Sequence, residues 1–106
     1  MPAYMIVQIK VIRREQGLSD YRDAVGPLAQ QFGGRYLVAG GVKVDVLEGS
    51  HDGRSLVIFE FPSLVAIHSF WDSPAYAEVK MLREGLAELD VWAVPGVEAT
   101  HPGSAQ

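Results

Sequence analysis

The chain has 106 residues, 48% hydrophobic and 21% charged, the make-up of one small globular domain rather than of a disordered segment. Cysteine and asparagine are absent, which removes disulfides, thiolate chemistry and N-glycosylation, and no apolar run approaches the ~20 residues that span a bilayer. Net charge is −4, with nine basic residues scattered among thirteen acidic ones, so the cationic stripe of a nucleic-acid binder is missing. These features, with no leader-like pattern at the N-terminus, lead us to expect a cytoplasmic protein with neither membrane nor nucleic acid as partner.

Residues 3–13 alternate as a strand. Met5, Val7, Ile9 and Val11 form a wholly apolar face that should pack on helices, while Tyr4, Ile6, Gln8, Lys10 and Ile12 form a mixed one. Glu15 to Leu18 reads as a connection, with Ser19 as the N-cap of a helix whose stripe is Tyr21, Val25, Leu28 and Phe32. Pro27 should kink that helix, and Gly33-Gly34 should end it.

A second strand is expected over residues 35–47, with a bulge at Gly40-Gly41. A hairpin loop over 48–53 leads into a third strand at 54–61. There Val57, Phe59 and Phe61 share one face, and Leu56, Ile58 and Glu60 the other. Ser63 caps a short helix over 64–72, and Ser73-Pro74 restarts it. Ala75, Val79, Leu82, Leu86 and Leu89 are the stripe expected to be buried in that second segment. A fourth strand follows at 91–94.

The order β-α-β-β-α-β is the ferredoxin-like split βαβ arrangement, an α+β fold with a four-stranded antiparallel sheet and helices on one face. One domain should occupy residues 1–98, with 99–106 a loose tail. The face away from the helices would carry Tyr4, Ile6, Leu56 and Ile58. Two sheets pairing face to face would cover that apolar surface, so a homodimer is expected.

Several stretches occur in a telling order: Tyr21-Arg22-Asp23-Ala24-Val25, Gly33-Gly34-Arg35-Tyr36, Gly40-Gly41, Ile58-Phe59-Glu60-Phe61-Pro62-Ser63, Ser73-Pro74-Ala75-Tyr76 and Leu82-Arg83-Glu84-Gly85. Together they resemble the bacterial domain-of-unknown-function family 1330, in the dimeric α+β barrel superfamily, from about Pro2 to Val97. The resemblance implies a homodimer whose two sheets form one barrel, and it implies no activity. This chain has Ala39 where the family often carries Arg, and His51 where it often carries Trp.

Candidate chemistry is sparse. Gln8, Lys10 and Glu60 share the mixed faces of neighbouring strands, where Glu60 suits proton transfer and Gln8 and Lys10 suit ligand binding; a plain Lys10–Glu60 ion pair is the structural reading of the same pattern. Arg35 could pair a carboxylate and Tyr36 could donate a hydrogen bond, and which of them faces inward is open. His51 beside Asp52 is the side chain best suited by intrinsic pKa to act as a general base, though adjacent residues rarely face each other. Trp71 and Tyr76 flank the Ser73-Pro74 restart and could wall a pocket.

Asp45, Glu48 and His51 lack metal-ligand spacing, and the glycine pairs match no nucleotide fingerprint, so no metal or cofactor is expected. Two readings follow. The first is a small-molecule-binding barrel, acting as a cofactor-independent isomerase, cyclase or lyase on a small carbonyl or aromatic metabolite. The second is a non-catalytic dimeric or stress-associated module with a filled barrel core.

Overall fold

The structure is a computed structural model, and residues 1–97 are described; the expected tail at 99–106 lies outside them. Seven elements follow in order: β1 (Ala3–Val11), α1 (Gln16–Gln31), β2 (Arg35–Val38), β3 (Ser55–Phe61), α2 (Leu64–Trp71), α3 (Pro74–Met81) and β4 (Ala87–Pro95). The strands form one antiparallel sheet in the order β2-β3-β1-β4, and the helices lie on one of its faces. That is the ferredoxin-like topology expected from the element order.

Burial follows the alternation of β1 and β3. Ala3, Met5, Val7, Phe59 and Phe61 are buried beneath the helices with Leu28, Ala29, Ile67 and Phe70. Aromatic rings run through this core, with Phe70 in contact with Phe32, Phe61 and Tyr76. Opposite-face residues pair across strands as Tyr4 with Glu60, and as Ile6 with Ile58 on one side and Trp92 on the other.

Helix ends obey local rules with one exception. Gly33 takes a φ of 88°, its N–H donates to Gln30 O, and the Gly34 N–H donates to Ala29 O. This paired closure needs the left-handed conformation that glycine adopts without penalty. Ser63 and Ser73 cap α2 and α3, each accepting from the backbone N–H three residues on at 3.1 Å.

The exception is the start of α1. It begins at Gln16 after Glu15, so Ser19 lies inside the helix. Gly17 is a contact glycine rather than a loop glycine: a Cβ there would collide with the Leu82 carbonyl oxygen. Pro27 is accommodated within a helix that continues to Gln31.

Three further expectations are corrected. The second strand stops at Val38 rather than residue 47, and its irregularity falls between Tyr36 and Val38, ahead of the glycine pair. The helix after Ser73 ends at Met81, and β4 starts at Ala87 rather than residue 91, so Leu89 belongs to the sheet. The expected apolar stripe holds only in part: Leu86 is buried and Leu89 partly buried. Ala75 is exposed and Leu82 is 37% exposed, while Tyr76 is buried and Val79 partly buried.

Candidate functional site

The helices do not seal the whole sheet. Ala3, Met5 and Val7 are buried, but Ile9 and Val11, farther along the same face of β1, are only partly covered. Between this end of the sheet and the helices lies a cavity of about 510 Å³. Its floor is apolar and is built by Val7, Ile9, Val57, Phe59, Leu89 and Val91, drawn from three strands.

One part of the wall is polar. The phenol oxygens of Tyr21, on α1, and Tyr76, on α3, are 2.9 Å apart. Arg83, in the turn after α3, donates through Nη2 to the Tyr76 oxygen at 3.4 Å, and its guanidinium carbon lies 5.4 Å from the centre of the Tyr21 ring. Trp71 packs on Tyr76 with ring centres 4.8 Å apart, and the Lys80 ammonium sits over the Trp71 ring. Ser73 fixes the height of this group, because it caps α3 through the Tyr76 N–H and also donates to the Phe70 carbonyl.

The electrostatics of the cluster are those of hydrogen-bond donors. Burial, and then the neighbouring Tyr76, push the Tyr21 phenol well above its ordinary pKa of 10.0, against the opposing pull of Arg83. Burial works against the Arg83 charge, yet the hydrogen bond to Tyr76 and the two phenol oxygens hold its pKa above the ordinary arginine value. At neutral pH Tyr21 is therefore protonated and Arg83 is charged.

The residues nominated from sequence divide between the two sheet faces. Tyr36, Trp71 and Tyr76 line the cavity. The ladder resolves the ambiguity of β2: Tyr36 stands beside Phe59 on the helix side, ring centres 4.3 Å apart, and Arg35 stands beside Glu60 on the far side. Burial raises the Tyr36 pKa, against Arg22.

Gln8, Lys10 and Glu60 lie on the face away from the helices, outside the cavity. The Lys10–Glu60 ion pair is not formed. Lys10 is opposite Glu88, six residues along β1 from the Tyr4–Glu60 pair, and Glu60 instead accepts from Arg35 Nε at 2.7 Å. His51 sits in the long connection at 39–54 without lining the cavity. Its neighbour Asp52 accepts from Ser50, and the buried His51 Nε2 has no partner among the described residues.

Tyr21 and Arg83 were not nominated from sequence. By its spacing Tyr21 belongs to the apolar stripe of α1, and Arg83 enters the sequence reading only within the stretch Leu82-Arg83-Glu84-Gly85. The available signal was spacing: Tyr76, Val79 and Arg83 fall at i, i+3 and i+7, one side of a helical turn. Among the described residues no group of His, Cys, Asp or Glu could hold a metal ion, and no helix is long and apolar enough to cross a membrane.

A family model described as a domain of unknown function, DUF1330, matches residues 2–97. The chain belongs to that family. No curated protein sequence matches this DUF1330 chain, but solved structures share its fold. RPA0582 of Rhodopseudomonas palustris, a protein of unknown function, is 20% identical, with a TM-score of 0.72 over 92% of this chain and 83% of its own. SnoaB of Streptomyces nogalater, described as a cofactor-independent oxygenase, is 9% identical, with a TM-score of 0.63 over 92% and 95%. A protein of unknown function from Bacteroides fragilis, described as dimeric with a ferredoxin-like fold, is 11% identical, with a TM-score of 0.55 over 90% and 96%. At these identities the likeness is one of fold.

Proposed function

We propose that this DUF1330 protein binds a small, partly apolar carbonyl or aromatic metabolite between its sheet and its helices. The observation that carries the reading is the cavity itself, about 510 Å³ with an apolar floor and a phenol pair in its wall. Ligand sites combine these ingredients: a hydrophobic body for affinity and a few placed polar groups for orientation. Tyr36, Trp71 and Tyr76 are the substrate-binding residues of this reading, joined by Tyr21 and Arg83.

The protein works as a homodimer in this proposal. Ile6, Ile58 and Trp92 form an apolar row on the face that no helix covers, and Trp92 is 47% exposed. Rows of this kind are covered in stable soluble proteins. Arg35–Glu60 and Arg54–Asp90 flank the row as charged pairs that would set the register of two sheets. Gln8, Lys10, Arg35 and Glu60 therefore serve the interface in this reading rather than the ligand.

A catalytic extension draws on SnoaB, whose fold is shared and whose described chemistry needs no cofactor. Phenol hydroxyls and a guanidinium suit the stabilisation of an oxygen that gains negative charge, as in proton transfer next to a carbonyl. The cavity wall includes two carboxylates, Glu15 and Asp23, both exposed. Glu60 and His51, the proton-transfer candidates from sequence, lie elsewhere. Binding is the function the geometry supports best.

Native mass spectrometry of freshly purified protein tests the reading. A dimer carrying extra mass that denaturation releases is the expected result, and a Val57→Trp variant that fills the floor should lose that mass. A bare protein in every preparation, with no uptake of aromatic or carbonyl compounds offered in solution, would reject it.

A further inference from the structure

The Tyr21–Tyr76–Arg83 group is rich in donors and poor in acceptors, and this imbalance narrows the ligand further. A guanidinium carries five N–H donors. Among the described residues Arg83 forms one hydrogen bond, the 3.4 Å contact to Tyr76, and its buried Nε has no acceptor. Arg13, Arg35 and Arg54 each pair with a carboxylate, whereas Arg83 has none within ion-pair distance among those residues. A partly buried cation without a counter-charge is costly, and that cost falls when an anion arrives.

The phenols point the same way. Tyr21 and Tyr76 share one hydrogen bond, which uses one of their two hydroxyl protons. The other proton has no acceptor among the described residues. Tyr21 stays protonated, so it does not supply the missing negative charge. Arg14 and Arg22 also line the cavity, but both are exposed, so water screens their charge in a way it cannot for the buried edge of Arg83.

We infer that the cavity takes a small monocarboxylate with an aromatic or branched apolar body, its carboxylate held by Arg83 and by the free phenol proton of the Tyr21–Tyr76 pair. The inference rests on the cavity being a ligand site. A carboxylate offers two oxygens with about four lone-pair positions, matching the guanidinium edge plus one hydroxyl. Arg83 is the one partly buried cation of that wall without a counter-charge among the described residues, and one such cation suits one negative charge, which favours a monoanion over a phosphate ester. The apolar floor of Val57, Phe59, Leu89 and Val91 receives the body of the molecule.

The test is calorimetric titration of the purified chain with matched acids and amides: benzoate and benzamide, phenylacetate and phenylacetamide, 2-naphthoate and 2-naphthamide. At least one acid should bind roughly tenfold to hundredfold more tightly than its amide, the range expected for a charge-assisted contact. In Arg83→Met that preference of acid over amide should vanish. The wild-type comparison stands by itself if the variant fails to fold.

Equal binding of acid and amide would overturn the carboxylate assignment and leave the cavity reading intact. A preference that persists in a folded Arg83→Met protein would move the anion site away from Arg83 and overturn it as well. Binding by no member of the set would remove the cavity reading and this inference together.

Discussion

Tyr21 and Tyr76, 55 positions apart in sequence, meet through their phenol oxygens at 2.9 Å and so tie α1 to α3 across one wall of the cavity. The contact is both structural and polar. It joins two helices with a hydrogen bond while leaving one hydroxyl proton free. Removing either hydroxyl deletes the bond between the helices in a poorly hydrated place, so Tyr21→Phe and Tyr76→Phe should each lower stability by about 1 kcal/mol. The double variant should cost less than the two summed, which urea denaturation of the full cycle would measure.

Alkaline pH should act through the same pair. The folded chain holds the Tyr21 phenol well above 10.0 by burial, and the unfolded chain does not. Its contribution to stability is therefore complete below pH 10 and falls as pH rises toward the folded value, since the unfolded state releases the proton first. Thermal melts between pH 9 and pH 11, a range of roughly two units around the ordinary tyrosine value, should show a decline that is shallower in Tyr21→Phe. An identical decline in both proteins would assign the effect to other groups.

Glu60→Gln should leave ligand affinity unchanged, because Glu60 faces away from the cavity and pairs with Arg35. The Arg35 side chain is 67% exposed in the single chain, so the pair contributes at most about 1 kcal/mol there. The effect should appear in dimer dissociation, read by sedimentation. Trp92→Glu places a charge at the β4 end of the apolar row and should give monomers at micromolar concentrations; a dimer that persists would exclude this face as the interface.

Two glycines should resist alanine for reasons of contact, not conformation. At Gly17 the new Cβ would meet the Leu82 carbonyl, a backbone atom with little freedom to retreat. The gain in helix propensity of about 1 kcal/mol is outweighed there, and a net loss of about 1–3 kcal/mol is expected in denaturant titrations. At Gly26 the Cβ would stand 3.0 Å from the edge of the Tyr36 ring, which can shift. Gly26→Ala should cost less stability and instead perturb binding in the cavity.

Ser73→Ala should cost about 1 kcal/mol by uncapping α3. It should also weaken binding in the cavity, since the lost bond runs to the Tyr76 N–H at 3.1 Å. Ser63→Ala removes the equivalent cap of α2 and serves as the control, as its partner Ala66 does not line the cavity.

The sequence by itself determined what depends on neighbours along the chain. Alternation in β1 and β3 set which side chains face the helices, Gly33 set the stop of α1, and Ser63 and Ser73 set the caps of α2 and α3. These are local preferences of backbone and side chain, legible in a window of a few residues. The tertiary structure alone decided the partners. It put Glu60 opposite Arg35 rather than Lys10, because strand register fixes which residues are level across a sheet. It turned Tyr36 inward and Arg35 outward through the ladder with β3, where a suspected bulge had left the faces open. It also brought Tyr21, Tyr76 and Arg83 together. A polar cluster that completes itself only when two helices pack leaves no mark in either helix alone, and an arginine on the inner side of a turn breaks the apolar pattern by which inner sides are recognised.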